Sequence, residues 1–95
     1  MTERQERQVK KIVATVCQNY RITPVQLRSQ SRARILSDAR RTVALMLFKR
    51  GFLHKEIAKV LDKTQQSVSK CLGNAVIDQA FERKFYEIDE ILKDL

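Results

Sequence analysis

The chain has 95 residues and a formal net charge of +8, with 43% hydrophobic and 32% charged residues. This balance is typical of one folded domain over 1–95, and it excludes both a disordered chain and a catalytic cleft between two domains. No apolar run approaches the roughly 20 residues of a membrane span, and the polar stretch from Met1 to Gln8 is not a signal peptide. We therefore expect a cytoplasmic protein that contacts no membrane.

The residue composition favours helices. The chain has two glycines, one proline and no tryptophan, which argues against a turn-rich fold of many short strands. The helical spacing of apolar residues predicts an all-α fold of about six helices and no strand. In chain order, the predicted helices cover about 3–19, 24–28, 32–50, 54–61, 65–77 and 78–93.

The first three helices are predicted to build the core. Thr23 as N-cap and Pro24 at the first helical position predict the short second helix. Val25 and Leu27 of this helix are expected to reach the core, and Gly51 ends the third helix. The buried stripes of the first and third helices are expected to be Val9, Ile12, Val13, Val16 and Tyr20, and Ile35, Leu36, Ala39, Val43, Met46 and Leu47.

The fourth and fifth helices have the spacing of a helix-turn-helix, expected at about 54–77. Asp62 tolerates the left-handed backbone of a short turn, and Thr64 suits the N-cap of the second motif helix. The inward faces are predicted to be Ile57, Ala58 and Leu61, and Val68, Cys71 and Leu72. The outward side chains are then those of Gln65, Gln66, Ser69 and Lys70. Hydrogen-bonding side chains of this kind read base edges or hold phosphates.

The basic charge surrounds this motif. Residues 20–70 carry twelve Lys/Arg against three Asp/Glu, a net charge of +9, whereas residues 78–95 carry three against six, a net charge of −3. A basic face attracts the phosphates of double-stranded DNA; the alternative is a solvated basic surface without a partner. The predicted DNA-binding residues are Arg32, Arg34, Arg40, Lys63, Thr64, Gln65, Gln66, Ser67, Ser69 and Lys70.

The last helix is amphipathic and acidic. Its apolar side chains alternate four and three residues apart, and they are Phe81, Phe85, Ile88, Leu92 and Leu95. We expect this stripe to pack within the monomer against the first helix. The alternatives are a homodimer through the same seam, or a protein-interaction module that uses helix 78–95 to bind a partner helix.

Short motifs along most of the chain carry a family resemblance. They are Tyr20-x-Ile22, Ser31-Arg32-x-Arg34, Ala39-Arg40, Glu56-Ile57-Ala58, Ser67-Val68 and the apolar stripe from Phe85 to Leu95. The arrangement resembles the C-terminal DNA-binding domain of the bacterial replication initiator DnaA, a relative of the Trp-repressor-type helix-turn-helix. The resemblance implies that Arg32 enters the minor groove and that Arg40 touches the DNA backbone. It also implies that the start of the fifth helix reads bases in the major groove.

The chain departs from that family at the turn and the recognition helix. The family carries a glycine-glycine-arginine-aspartate-histidine-threonine-threonine-valine segment there, and this chain has the shorter segment from Asp62 to Val68. The aspartate and histidine that read bases in the family are missing from this chain. The initiator's sequence preference is therefore not expected here. No Gly-rich phosphate loop is present, so the initiator's ATP-binding module is missing as well. We expect a small regulator or a replication accessory protein.

Catalytic chemistry has little support in the sequence. His54 is the single histidine, so a metal site or a histidine-based triad lacks parts. Cys17 and Cys71 are expected to be buried free thiols, because no second pair of ligands has metal-binding spacing. We therefore expect neither an enzyme nor a cofactor.

Overall fold

Six α-helices make up the computed structural model, which describes residues 1–73 and 78–95. In chain order they are α1 (Glu3–Tyr20), α2 (Pro24–Arg28), α3 (Arg34–Lys49), α4 (His54–Leu61), α5 (Gln65–Gly73) and α6 (Gln79–Leu92). The predicted all-α fold is confirmed, with no strand in the described residues. The predicted continuation of the fifth helix over 74–77 lies outside the described residues.

Local side-chain chemistry sets where the helices begin and end. Thr2 and Thr23 are the N-caps of α1 and α2, and each forms a reciprocal capping box with a glutamine three residues later. Arg21 and Asp62 close α1 and α4 in the left-handed conformation, at φ 56° and φ 54°. Gly51 follows α3 at φ 88°, where glycine has no Cβ to clash. The predicted turn role of Asp62 is therefore confirmed.

Helix α3 is the central element, because it packs against each of the other five helices. Around it, α1 packs on α2 and α6, and α4 packs on α2 and α5. Fully buried side chains from all six described helices meet in one core, among them Ile12, Val16, Leu27, Val43, Met46, Leu47, Ile57, Leu61, Val68, Ile88 and Leu92. The core therefore holds α4 and α5 against the rest of the domain.

Three apolar side chains that were predicted to be buried lie on the surface. Val25 is 76% exposed, because the five-residue helix α2 turns only Leu27 inward. Ile35 is 48% exposed, since its neighbour Leu36 occupies the inward position at the start of α3. Leu95 lies beyond the end of α6 and is exposed. The prediction of burial was wrong at these positions.

Helix α6 packs within the monomer, as the sequence predicts. Its side chains Phe81, Ile88 and Leu92 are buried, and α6 contacts α1 and α3. A polar contact holds the C-terminal end of α6, where the Arg50 guanidinium donates to the carbonyl of Leu92 at 3.0 Å. Most of the apolar seam is therefore used inside the folded chain. Among residues 1–73 and 78–95, no helix is long and apolar enough to cross a membrane.

The two cysteines do not form a disulfide bond. Cys17 is buried in α1 and Cys71 is half-buried in α5, and both are free thiols. Burial raises the pKa of each thiol above its ordinary value, with nearby arginines opposing the rise. The predicted free state is confirmed for both, and full burial only for Cys17.

Candidate nucleic-acid interface

Helices α4 and α5 form the pair that the sequence predicts as a helix-turn-helix. The turn between them is tight, because the Lys63 amide donates to the carbonyl of Ala58 at 3.0 Å. Thr64 begins α5 as predicted, with its hydroxyl accepting from the backbone N–H of Ser67 at 3.1 Å. Val68 is only 1% exposed and belongs to the same core as Ile57 and Leu61. The core therefore determines which face of α5 points outward.

The outward face of α5 carries only polar and basic side chains. Its exposed residues, with the N-cap, are Thr64, Gln65, Gln66, Ser67, Ser69 and Lys70. No acidic side chain and no large apolar group lies among them. A narrow convex helix face with amide, hydroxyl and ammonium groups has the shape and the donors that a major groove accepts.

His54 takes part in this face, and the sequence analysis assigned it no site role. Its Nδ1 lies 3.1 Å from the hydroxyl of Ser69, so the first residue of α4 holds a side chain of α5. Phe48 packs against the imidazole, with ring centroids 5.6 Å apart. The fifteen-residue separation from Ser69 carries no helical periodicity, so only the folding of α4 against α5 reveals the contact.

Arg40 lies inside the domain and not on its surface. It is 7% exposed, and its guanidinium donates to the backbone carbonyls of Leu27 at 2.6 Å, Ser29 at 2.7 Å and Ser31 at 2.7 Å. Burial lowers the pKa of Arg40 from its ordinary value. The predicted phosphate contact is therefore corrected: on α3 the side chain falls on the inward face, beside the link between α2 and α3.

Lys63 is directed at the same link. Its ammonium donates to the carbonyls of Arg28 at 3.0 Å and Ser29 at 2.8 Å. Loss of solvation lowers the pKa of Lys63, and the positive charge of Arg40 adds to this effect. Two cations, one from α3 and one from the α4–α5 turn, thus bind the carbonyls of residues 27–31.

This double attachment places Arg32 beside α5. The link has no helical hydrogen bonds of its own, since α3 begins at Arg34 and not at Arg32 as predicted. The Ser31 hydroxyl accepts from the Ala33 amide at 3.3 Å and helps to shape the turn before α3. Arg32 is exposed, and no contact to another side chain is described for it. Arg40 and Lys63 therefore act as positioning residues for the segment that carries Arg32.

Arg34 is exposed but already paired. Its guanidinium forms ion pairs with Asp78, the N-cap of α6, and at 4.0 Å with Asp38. The Ala80 backbone N–H lowers the pKa of Asp78 most, and Arg34 lowers it further. A phosphate at Arg34 competes with these carboxylates, which makes Arg34 a weaker candidate than Arg32.

A cleft of about 260 Å³ lies between the α2–α3 link and α5. Its walls include Arg32 and Ser31 from the link and Ser67 from α5, with Arg40 and Lys63 behind them. The structure thus brings the start of α5 and the arginine-bearing link to the two sides of one basic cleft. Gln30 and Ser37, which the sequence analysis did not select, also line it.

The described residues hold no cluster of three or more His, Cys, Asp or Glu side chains that could bind a metal ion. Comparisons of the chain with protein-family models, with curated proteins and with solved structures gave no match. The function is therefore inferred from the placement and chemistry of the side chains.

Proposed function

We propose that the protein binds double-stranded DNA, with α4 and α5 acting as a helix-turn-helix and α5 lying in the major groove. The observation that carries this proposal is the outward face of α5, which is wholly polar and basic over Gln65, Gln66, Ser69 and Lys70. It is held on a core that fixes its orientation through Val68. A glutamine side chain pairs bidentately with adenine, and an ammonium group holds a phosphate.

Arg32 supplies the second contact in this proposal. From the α2–α3 link it lines the same cleft as Ser67 at the start of α5. An arginine of this kind enters a narrow minor groove or binds a phosphate. Arg40 and Lys63 contribute indirectly, by holding the link. The sequence resemblance to initiator DNA-binding domains also implies a DNA contact for Arg32. It differs for Arg40, which it implies to touch the DNA backbone.

The proposed role is a small regulator or replication accessory protein that binds DNA without catalysis. The proposal includes a cytoplasmic location, as expected from the sequence. The alternative of a partner helix on the apolar seam of α6 loses support, because Phe81, Ile88 and Leu92 already pack against the domain.

Replacing Lys70 with Ala tests the proposed face. Lys70 is exposed on α5, and its ammonium makes no hydrogen bond or ion pair with the described residues, so the change should remove one phosphate contact and leave the fold intact. We expect weaker binding to all duplex sequences and a salt dependence, plotted as log K against log[salt], that is shallower by about one. Fluorescence anisotropy with a labelled duplex at several salt concentrations measures both quantities.

Lys11→Ala is the matched control, since Lys11 is an equally exposed lysine on α1, on a helix that makes no part of the proposed face. It removes the same charge and is expected to leave the slope unchanged. Equal losses for the two variants would mean that binding follows net charge alone and that α5 does not form the interface.

A further inference from the structure

A second groove lies between α1, α2 and α4, with a volume of about 500 Å³ and no residue of α5 in its walls. Its floor is apolar and includes Val9, Val13 and Val60. Its rim carries the cations Lys10, Arg28 and Lys59, together with the carboxylate of Asp62. The groove therefore suits a ligand with apolar side chains flanked by negative charge.

The outer face of α6 has this chemistry. Tyr86 and Ile91 are 64% and 56% exposed, although both are large apolar residues in a helix whose other face is buried. At 100° per residue, Glu87 and Glu90 lie between them on the helix surface. Both glutamates are exposed, and Glu90 contacts only the neighbouring Lys93 among the described ion pairs. The face thus presents two carboxylates between two apolar side chains, with the exposed Arg83 one turn before Glu87 on the same face.

The groove and this outer face cannot meet within one chain. Helix α6 packs on α1 and α3 through Phe81, Ile88 and Leu92, on the side opposite Tyr86 and Glu90. The outer face therefore points away from the domain that carries the groove. A contact between the two surfaces requires a second molecule.

We propose that the outer face of α6 of one copy docks into the α1/α2/α4 groove of a second copy. The carboxylates of Glu87 and Glu90 then meet the ammonium groups of Lys10 and Lys59, while Tyr86 contributes to covering the valine floor. Such a contact joins two different surfaces, so each pair keeps one free groove and one free α6 face. Copies then associate head to tail, in an open row where the rotation between successive copies does not close a ring, and this association does not require DNA.

Each of two double variants reverses the charge of one of the two proposed surfaces. Lys10→Glu/Lys59→Glu reverses the charge of the groove, and Glu87→Lys/Glu90→Lys reverses that of the α6 face. All four side chains are exposed, so circular dichroism is expected to report a native helical fold for both. Sedimentation velocity at low salt and over rising protein concentration, with no DNA present, then gives the state of association.

The expected results distinguish head-to-tail association from a chain that stays monomeric. The unmodified chain should show a mass that keeps rising with concentration, and each variant alone should stay monomeric. An equimolar mixture of the two variants should recover association into assemblies larger than a pair, because the intact face of one meets the intact groove of the other and the two reversed surfaces also carry opposite charges. Raising the salt concentration should weaken both assemblies, since exposed charges are screened.

A matched control is Lys11→Glu/Lys55→Glu, which makes the same change in net charge on exposed positions of α1 and α4 outside the groove. It should associate like the unmodified chain. A monomeric unmodified chain, or a mixture of variants that stays monomeric, would overturn the proposal. If the groove variant instead lost DNA affinity as Lys70→Ala is expected to, the groove would be a DNA surface. A groove that bound only an acidic helix of another protein would also exclude self-association.

Discussion

Replacing Val68 with Asp is expected to unfold the domain. The side chain at this position is 1% exposed and packs in the core that joins α3, α4 and α5. Arg40 and Lys63 line the same cleft, but their donors already bind the carbonyls of residues 27–31. Burying a carboxylate without a partner of its own costs several kcal/mol. Small domains have a total stability of about 5–15 kcal/mol. We therefore expect loss of the cooperative unfolding transition, measured by circular dichroism during thermal denaturation.

Ser69→Asp is the control, because it adds the same charge one residue later on the exposed face of α5. This variant should keep its helical content and its melting transition, yet bind DNA poorly because a carboxylate repels phosphate. A folded Val68→Asp chain would show that α5 is oriented differently and that another face points outward.

Replacing Arg40 with Ala is expected to destabilise the domain although it removes a charged residue. The guanidinium is the donor for the carbonyls of Leu27, Ser29 and Ser31. Carbonyls that lose a buried donor cost about 1–3 kcal/mol each, less where water reaches them. We expect the free energy of unfolding to fall by about 2–4 kcal/mol in urea denaturation. Arg32→Ala, at an exposed position, should change it by less than about 0.5 kcal/mol.

A second measurement separates the positioning role of Arg40 from a general loss of stability. Hydrogen exchange of the amides over 29–33 should accelerate in Arg40→Ala more than exchange in the core of α3. Arg40→Lys retains the charge but not the fork of donors, and it should be intermediate. If Arg40→Ala kept full stability and unchanged exchange, the guanidinium of Arg40 would be free for DNA, as the family resemblance implies.

The helices could be predicted because their signals are local. Thr23 with Pro24, Gly51, Asp62 and Thr64 each act within a few residues of where they stand, and two helices were predicted with the observed bounds. The wrong predictions concern which face of a helix is buried, and not whether the helix is present. Val25 lies in a helix too short to bury two sides, and Ile35 adjoins a residue that takes the inward place.

The candidate site could be predicted only in part. The outward face of α5 follows from periodicity, because the apolar positions of the helix define the opposite side. The role of Arg40 could not be found in this way, since its partners are backbone carbonyls more than eight residues away. An arginine in a basic stretch has the same sequence signal whether it binds phosphate or a loop. The His54–Ser69 contact likewise depends on tertiary packing.

Binding of the purified, folded chain to random duplex DNA over a series of salt concentrations tests the central proposal most directly, with Gln66→Ala/Lys70→Ala measured alongside. Our account predicts tight binding at low salt, a steep loss of affinity as salt rises, and much weaker binding by the double variant at every salt concentration. A chain that is helical and folded but does not bind at low salt would contradict it, and so would binding that the double variant leaves unchanged.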